Sequence, residues 1–158
     1  MSERHPLHDK IKRLPLFEGF TDVELDEFLA ISDPAVHRAG DLIIRQGEVG
    51  ECMYYIAQGT CSVLANRGGH HVELARLGPG EVFGELAIFD KAPRSATVQA
   101  VTDCVLVSVT GGLLNALATI LPGAAYKFLV GILREIGDRL RKTNVRYLDS
   151  VIAQPPQG

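Results

Sequence analysis

The residues with the clearest chemical potential lie in one segment, 80–98, of the 158-residue chain. Gly84 permits close approach of the backbone just before a short run of helix-forming residues. The free N–H groups at the start of such a turn, those of Glu85, Leu86 and Ala87, can point at an anion. The segment therefore predicts a place where the main chain helps to hold a negatively charged group.

Two charged side chains extend this prediction. Arg94 precedes the small residues Ser95 and Ala96, and a planar guanidinium there can form two parallel hydrogen bonds to a phosphate. Glu85 would repel an anion, so it needs a reason of its own, and a sugar hydroxyl that donates to it would provide one. Together these groups predict a sugar phosphate site. A salt bridge between Glu85 and Arg94 without any ligand is the alternative.

The elements that must position this segment are the N-terminal helices and the β-strands in the middle of the chain. Residues 7–31 have helical spacing that Pro15 interrupts, and Thr21 with Glu24 forms a capping-box pattern for the second helix. Residues 35–109 alternate short apolar runs with glycine-containing turns. This alternation is typical of a sandwich, barrel or jelly roll.

The end of the chain, 111–150, is helical again. Residues 111–120 are predicted as a short helix, and residues 124–150 can run as one long helix with an apolar stripe. Such a stripe must be covered by the β core, by a partner helix, or by each in turn. We predict residues 151–158 to be a disordered tail. The predicted fold class is therefore mostly β with flanking helices.

Composition limits the classes of function. Hydrophobic residues make up 46% of the chain and charged residues 22%, which excludes an extensively disordered protein. A formal net charge of −3 provides no general positive field for nucleic acid. The sequence has neither an apolar run of membrane-spanning length nor a signal peptide. We therefore predict a cytoplasmic protein that binds neither nucleic acid nor membrane.

The cysteines give a weak signal. Cys52, Cys61 and Cys104 have no Cys-x-x-Cys spacing, so we predict buried thiols in a reducing compartment. We find no plausible His/carboxylate cluster, Ser–His–Asp set or nucleophilic cysteine environment in the sequence, which favours a binding module over an enzyme.

The adjacent histidines permit a metal interpretation. His70 and His71, with Glu73 nearby, have residue types that bind metal in β-rolls, and a cupin-like metal enzyme is the corresponding alternative. They follow Gly68 and Gly69, however, which predict an exposed hairpin tip. We therefore predict no metal site.

The segment 83–98 resembles the phosphate-binding cassette of the cyclic nucleotide-binding domain family. Further motifs of the chain resemble the strand-and-glycine pattern of that family: Gln46-Gly47-Glu48, Gly50-Glu51, Tyr54-Tyr55-Ile56, Gly59 and Leu77-Gly78-Pro79-Gly80-Glu81. The resemblance covers roughly residues 14–150. It implies a β-roll or jelly roll with N-terminal helices and a long C-terminal helix. That last helix, residues 124–150 here, would move as a lid over the base when ligand binds.

The resemblance also implies a role for each matching residue. Glu85 would bind the ribose 2′-hydroxyl, Arg94 would pair with the cyclic phosphate, and Gly84 is the cassette glycine. Backbone donors would come from Leu86 and Ala87, while Ser95 would add a bond to the phosphate or the base. The predicted ligand-binding residues all belong to this segment: Phe83, Gly84, Glu85, Leu86, Ala87, Arg94, Ser95 and Ala96. Aromatic Tyr54, Tyr55 and Phe83 are more typical of core than of a base-stacking surface.

The ligand implied by the resemblance is cAMP or cGMP, without a metal. The two nucleotides share the ribose and the phosphate, so the cassette does not separate them. Discrimination must come from the bases, which Arg141, Thr143, Asn144 and Tyr147 of the long helix are candidates to reach.

We therefore predict a stand-alone regulatory module, residues 7–150, that senses a cyclic nucleotide, repositions its C-terminal helix and acts on a downstream protein that the sequence leaves unidentified. An interaction or dimerisation domain that has kept the fold and lost the ligand is the alternative. The helix 124–150 resembles the dimerising helix of the bacterial transcription-regulator branch, which implies a homodimer.

Overall fold

The helices at the start of the chain are limited by proline and by a side-chain cap. The computed structural model describes residues 3–154 and contains α1 at His8–Ile11, a 3-10 turn at Pro15–Phe17 and α2 at Asp22–Ile31. The predicted capping box is confirmed. The Thr21 hydroxyl accepts from the Glu24 N–H, and the Glu24 carboxylate accepts from the Thr21 N–H. The box fixes where α2 begins.

The middle of the described chain forms two antiparallel sheets of four strands each. In chain order the strands are β1 Asp33–His37, β2 Leu42–Ile44, β3 Cys52–Gln58, β4 Cys61–Arg67, β5 His70–Leu77, β6 Val82–Phe83, β7 Thr97–Ala100 and β8 Cys104–Thr110. The strand order is β1-β8-β3-β6 in one sheet and β2-β7-β4-β5 in the other. These sheets and their flanking helices confirm the predicted fold class.

Three further helices complete the described fold. They are α3 at Leu86–Phe89, α4 at Gly111–Ile120 and α5 at Pro122–Ile152. α3 is the single helical turn expected within the β region. α5 continues through Ile152 because no helix breaker occurs before Pro155, so residues 151–152 of the predicted tail are helical. Residues 155–158 of that tail lie outside the described residues.

Alternation along β3 divides the apolar residues between two cores. Tyr55 faces the helices, where its ring centroid lies 5.2 Å from that of Phe17. Phe28 and Phe128 join the same aromatic cluster, with centroids 5.2 Å apart. Ile56 faces the other way, into the core between the sheets. The first core thereby attaches the helices to the β-roll.

The first half of α5 is fixed to the rest of the chain at two points. Gly131 approaches the 3-10 turn so closely that an added Cβ would lie 2.6 Å from the Leu16 carbonyl oxygen. Lys127 donates to the Glu24 carboxylate at 2.7 Å. The second half differs, because residues 141–152 are all exposed. α5 therefore leaves the core between these two halves, beside the segment 80–98.

Candidate ligand-binding site

A cavity of about 1000 Å³ lies between the second sheet and α5. Its walls include every residue that the sequence predicted for ligand binding: Phe83, Gly84, Glu85, Leu86, Ala87, Arg94, Ser95 and Ala96. The cassette is therefore folded around open space and not filled by the protein's own side chains.

Main-chain contacts hold Arg94 against the start of the cassette. Its Nη1 donates to the carbonyl oxygen of Gly84 at 3.0 Å, and its Nη2 donates to that of Cys52 at 2.6 Å. The Arg94 backbone pairs with the turn before β3, since its N–H donates to Glu48 and its carbonyl accepts from Gly47, both at 2.8 Å. Hydrogen bonds to the guanidinium and to the backbone therefore fix Arg94 at the cavity wall.

Two glycines make room for this guanidinium. Gly84 has a φ of +72°, and an added Cβ would lie 2.6 Å from Arg94 Nη1. A Cβ on Gly50 would lie 2.4 Å from Arg94 Nη2. The sequence indicated Gly84 as a place of close backbone approach, whereas Gly50 stood out only as part of a family-like pattern. Its role depends on a contact with a residue far along the chain.

Glu85 faces the same cavity but pairs with a different arginine. Its Oε1 accepts from Arg139 Nη1 at 3.2 Å, and Arg139 Nη2 also donates to the carbonyl of Val82. The side chains of Glu85 and Arg139 are 12% and 34% exposed. The alternative of a Glu85–Arg94 salt bridge is wrong, because within residues 3–154 Arg94 makes no ion pair and Glu85 pairs with Arg139 alone.

The backbone donors of the cassette are only partly free. The Ala87 N–H donates to the Gly84 carbonyl at 3.2 Å, because α3 closes its own first turn there. The expected anion donor at Ala87 is therefore already engaged, although Ala87 lines the cavity. The N–H groups of Glu85 and Leu86 find no hydrogen-bond partner in the described part of the chain. Those two remain available to a bound group.

One face of α5 forms the opposite wall. The polar residues on this wall recur every three or four positions, as one helix face requires: Glu135, Asp138, Arg139, Lys142, Thr143 and Arg146. Of the four residues predicted to reach a base, Thr143 lines the cavity. The other three do not, because Arg141, Asn144 and Tyr147 lie on other faces.

Arg139 is the functional candidate that the sequence reasoning missed. In the sequence it is one of several charged residues within the predicted helix 124–150. Its spacing from Glu135 and Lys142, on one face, was the signal that could have found it.

Burial shapes the electrostatics of this wall. It raises the pKa of the Glu135 carboxyl, and the nearby Glu81 raises it further, against the opposing effect of Arg139. Arg139 lies 4.0 Å from Glu135, one helical turn away. The cavity thus contains carboxylates that repel one another and a cation that reduces the repulsion.

The aromatic residues belong largely to the cores, as predicted. Tyr55 is buried among the helices. Phe83 packs in the core between the sheets, stacks on Tyr54 with centroids 5.2 Å apart, and also reaches the cavity wall. Phe83 therefore connects the cavity wall to the core between the sheets.

The hairpin prediction is confirmed. His70 pairs with Arg67 across the β4–β5 turn, Gly68 and Gly69 have φ of +60° and +83°, and both His70 and His71 are exposed. Within residues 3–154 no three His, Cys, Asp or Glu side chains are grouped to hold a metal ion.

Two of the three cysteines fit the predicted burial. Cys61 and Cys104 are buried with their sulfurs 3.8 Å apart, while Cys52 is half-buried. Burial raises the pKa of the Cys61 thiol to about 12, with the neighbouring Cys104 adding to the effect. The Cys61 sulfur is therefore held as a thiol.

The two sheets, the cavity between sheet and helix, and the long last helix define a β-roll domain with an internal site. A profile of the cyclic nucleotide-binding domain matches residues 35–119, more than half of the chain. The chain belongs to this family. In the described residues no helix is long and apolar enough to cross a membrane.

Individual relatives agree with this assignment. The cyclic AMP receptor protein of Thermus thermophilus is 36% identical over 100 residues, which are 63% of this chain and 46% of that protein. A regulatory domain of Toxoplasma gondii PKA, solved with cAMP, is 30% identical with a TM-score of 0.59, and the match covers 70% of this chain and 42% of that one. The chain spans less than half the length of the curated relatives it matches.

A third comparison concerns the fold alone. A cyclic nucleotide-binding domain from Methylobacillus flagellatus superposes with a TM-score of 0.80 at 21% identity, and the match covers 91% of this chain and 82% of that one.

Proposed function

We propose that the chain is a cyclic nucleotide sensor whose ligand lies in the cavity between the cassette and α5. One observation carries the proposal: Glu85, Arg94 and the unengaged N–H groups of Glu85 and Leu86 line a single cavity. A hydroxyl acceptor beside phosphate donors matches the chemistry of a sugar phosphate, the class to which cyclic nucleotides belong. In this proposal the Arg94 guanidinium binds the phosphate and the Glu85 carboxylate binds the ribose 2′-hydroxyl.

Arg94 retains the capacity for this role. A guanidinium has five N–H donors in a planar fork, and Arg94 uses one on each of its two terminal nitrogens for the carbonyls of Gly84 and Cys52. Those contacts orient the fork before a ligand arrives, so less conformational freedom is lost on binding. Ser95, beside Arg94 on the same wall, would donate its hydroxyl to the phosphate or the base.

α5 would act as the lid of the site. Its polar face already forms one wall, its first half is attached through Gly131 and Lys127, and residues 141–152, beyond the Arg139 contacts, are exposed. A ligand can move such a helix only as far as its affinities for the two positions differ. The output would reach a downstream protein through this movement, with no enzymatic step and no metal.

Of the two nucleotides, cAMP is our first candidate and cGMP the second. The Thermus relative is a cyclic AMP receptor protein, and the Toxoplasma domain was solved with cAMP. Thr143 and Arg146 on α5 are the side chains that we expect nearest the base. The proposed site of action is the cytoplasm.

A thermal-shift titration tests the proposal. Because a ligand that binds only the folded state stabilises it, cAMP or cGMP should raise the melting temperature in a concentration-dependent way. Linear 5′-AMP, which has the same base but a dianionic open phosphate, should raise it far less. Equal responses to cAMP, cGMP and 5′-AMP, or none, would contradict the proposal.

A dimerisation domain is the second candidate, and the exposed side of α5 favours it. Leu133, Leu140 and Tyr147 recur at intervals of seven residues and are 67%, 59% and 68% exposed. We propose a second copy of this chain as the occupant, through the helix predicted for this purpose, residues 124–150. Sedimentation should give twice the monomer mass, and Leu140→Glu should restore the monomer. A monomer in the unmodified protein would exclude this candidate.

A further inference from the structure

The side chain of His8, the first residue of α1, is fully buried between two carboxylates. Its Nδ1 lies 2.5 Å from Asp26 Oδ1, and its Nε2 lies 3.3 Å from Asp22 Oδ1. Asp22 and Asp26 are four residues apart on α2, so one face of that helix presents both acidic groups to the ring. Each ring nitrogen therefore has a carboxylate oxygen of its own.

The protonation state decides how well the ring fits this place. A neutral imidazole has one N–H and one bare nitrogen, so it donates to only one carboxylate while the bare nitrogen faces the other. The imidazolium has two N–H groups and donates to both. Burial opposes the charge, but a buried cation is retained where it is paired and hydrogen-bonded. The surroundings of His8 thus match the charged form of the ring.

The other charged groups at this contact act on Asp22. Lys12, just after α1, donates to the same Oδ1 at 2.5 Å, and Arg4 lies 3.6 Å from Oδ2. These cations oppose a charge on His8, but hydrogen bonds from Lys12 and then from His8 lower the pKa of Asp22, against the opposing effect of burial. Asp26 has no side-chain partner other than His8 in the described part of the chain. The His8–Asp26 contact therefore depends most directly on the proton.

α1 needs such contacts to stay in place. A helix of four residues has too few backbone hydrogen bonds to persist on its own. Leu7 and Ile11, on either side of His8, are buried in the core that also contains Phe128 of α5. Release of α1 would expose these two apolar side chains and open the core on which α5 rests.

We infer that His8 is a proton-dependent latch that holds α1 against α2. The protonated ring donates to both carboxylates, and loss of the proton removes one of the two hydrogen bonds. The folded protein then binds this proton more tightly than the unfolded chain does. The latch consequently stabilises the fold fully at low pH and loses this effect as the pH rises through the usual histidine range, about pH 5 to 8. It requires no ligand, so the inference does not depend on the proposed function.

Chemical denaturation at about pH 5.5 and about pH 8.5, near the limits of that range, tests the latch. The proteins are the unmodified chain, His8→Gln, Asp26→Asn and the double variant, which together give the His8–Asp26 coupling. His8→Gln should lower the folding equilibrium constant by roughly three- to tenfold more at the lower pH than at the higher. The coupling should shrink in the same direction. His70→Gln, at the exposed hairpin, is the matched control and should have the same effect at both pH values.

A second measurement uses the unmodified protein, because a substitution at a buried position also alters packing. Nitrogen NMR spectra of the histidine rings distinguish an imidazolium from a neutral ring. His8 should keep both ring protons to a higher pH than the exposed His70. The amides of Ile11 and Lys12, which donate to the carbonyls of Leu7 and His8, should lose protection from hydrogen exchange as the His8 ring loses its proton.

Two results would overturn the inference. One is a His8 ring that becomes neutral at the same pH as His70 or below it. The other is a His8–Asp26 coupling that stays constant or grows as the pH rises. Deprotonation of His8 without any loss of amide protection in α1 would also contradict the latch. None of these readouts involves a nucleotide, so their failure leaves the proposed function untouched.

Discussion

Gly50 lies so close to the guanidinium of Arg94 that a side chain at position 50 would have to displace it. A Cβ at Gly50 would lie 2.4 Å from Nη2 of Arg94 and 2.7 Å from its Nε. Nη2 also donates to the Cys52 carbonyl, two residues after Gly50. The turn before β3 and the cassette are therefore fitted to each other through one guanidinium.

Gly50→Ala should displace that guanidinium and weaken cyclic nucleotide binding by about tenfold or more, as a lost charged hydrogen bond does. Gly50 has no positive φ, so backbone strain is not the cause. Gly111→Ala is the matched control, because an added Cβ there meets no atom within 4 Å. Calorimetric titration of both variants checks the prediction. Equal affinities for Gly50→Ala and Gly111→Ala would show that Arg94 is not held by this contact.

Tyr55→Phe should stabilise the protein or leave it unchanged. The Tyr55 hydroxyl is buried and, within residues 3–154, has no hydrogen-bond partner, and burial raises its pKa. Removing an unsatisfied buried hydroxyl recovers its desolvation cost, about 1 kcal/mol. Thermal unfolding should show a melting temperature equal to or above that of the unmodified protein.

Tyr147→Phe is the reference for the Tyr55 experiment, since Tyr147 is exposed on α5 and its hydroxyl is already in water. Its substitution should not change the melting temperature. A clear fall for Tyr55→Phe alone would mean that the hydroxyl has a partner in solution.

The Glu24–Lys127 pair should make part of the stability depend on pH. Burial alone raises the pKa of Glu24, but the hydrogen bond from Lys127 and those from Thr21 outweigh it, and the pKa is lowered from 4.5. A carboxyl whose pKa is lowered by folding stabilises the folded state at pH values above its ordinary pKa. That stabilisation is lost as the pH falls through the folded-state pKa.

Glu24→Gln should therefore cost most stability near neutral pH, and the difference from the unmodified protein should vanish as the pH falls below about 4.5. Glutamine keeps the capping-box acceptor, so the variant isolates the charge. Lys127→Met should show the same pH dependence. Chemical denaturation between pH 3 and pH 7 (approximate limits, set by the usual carboxyl range) measures it. A stability difference that grows at low pH would contradict the assignment.

The parts of the fold that the sequence predicted are those set by local signals. α4 has the predicted bounds, and the predicted capping box begins α2. β1 begins at Asp33, two residues before the predicted start of the β region at residue 35. The structure begins a strand there, and Pro34 is tolerated because β1 is an edge strand that pairs only with β8.

The candidate site likewise has a part that local sequence signals predicted and a part that depends on the tertiary fold. The cassette residues are close in sequence, so their types and spacing identified Glu85 and Arg94 together. Arg139 lies 54 residues beyond Glu85, and its contact exists only because α5 packs back over the β-roll. Helical spacing places Arg139 on one face with Glu135 and Lys142, but this spacing does not show that the face packs over the cassette. The engaged N–H of Ala87 was missed for a related reason, since it depends on how tightly α3 closes its first turn.

Arg94→Ala tests the central claim most directly. Losing the charged partner of a desolvated phosphate costs about 2–5 kcal/mol, or roughly 30-fold to several thousandfold in affinity. Arg94→Lys keeps the charge without the planar fork and should bind with intermediate affinity, while circular dichroism confirms that each variant folds. In calorimetry with cAMP and cGMP, we predict binding by the unmodified protein and almost none by folded Arg94→Ala. Unchanged affinity in that variant would contradict the account.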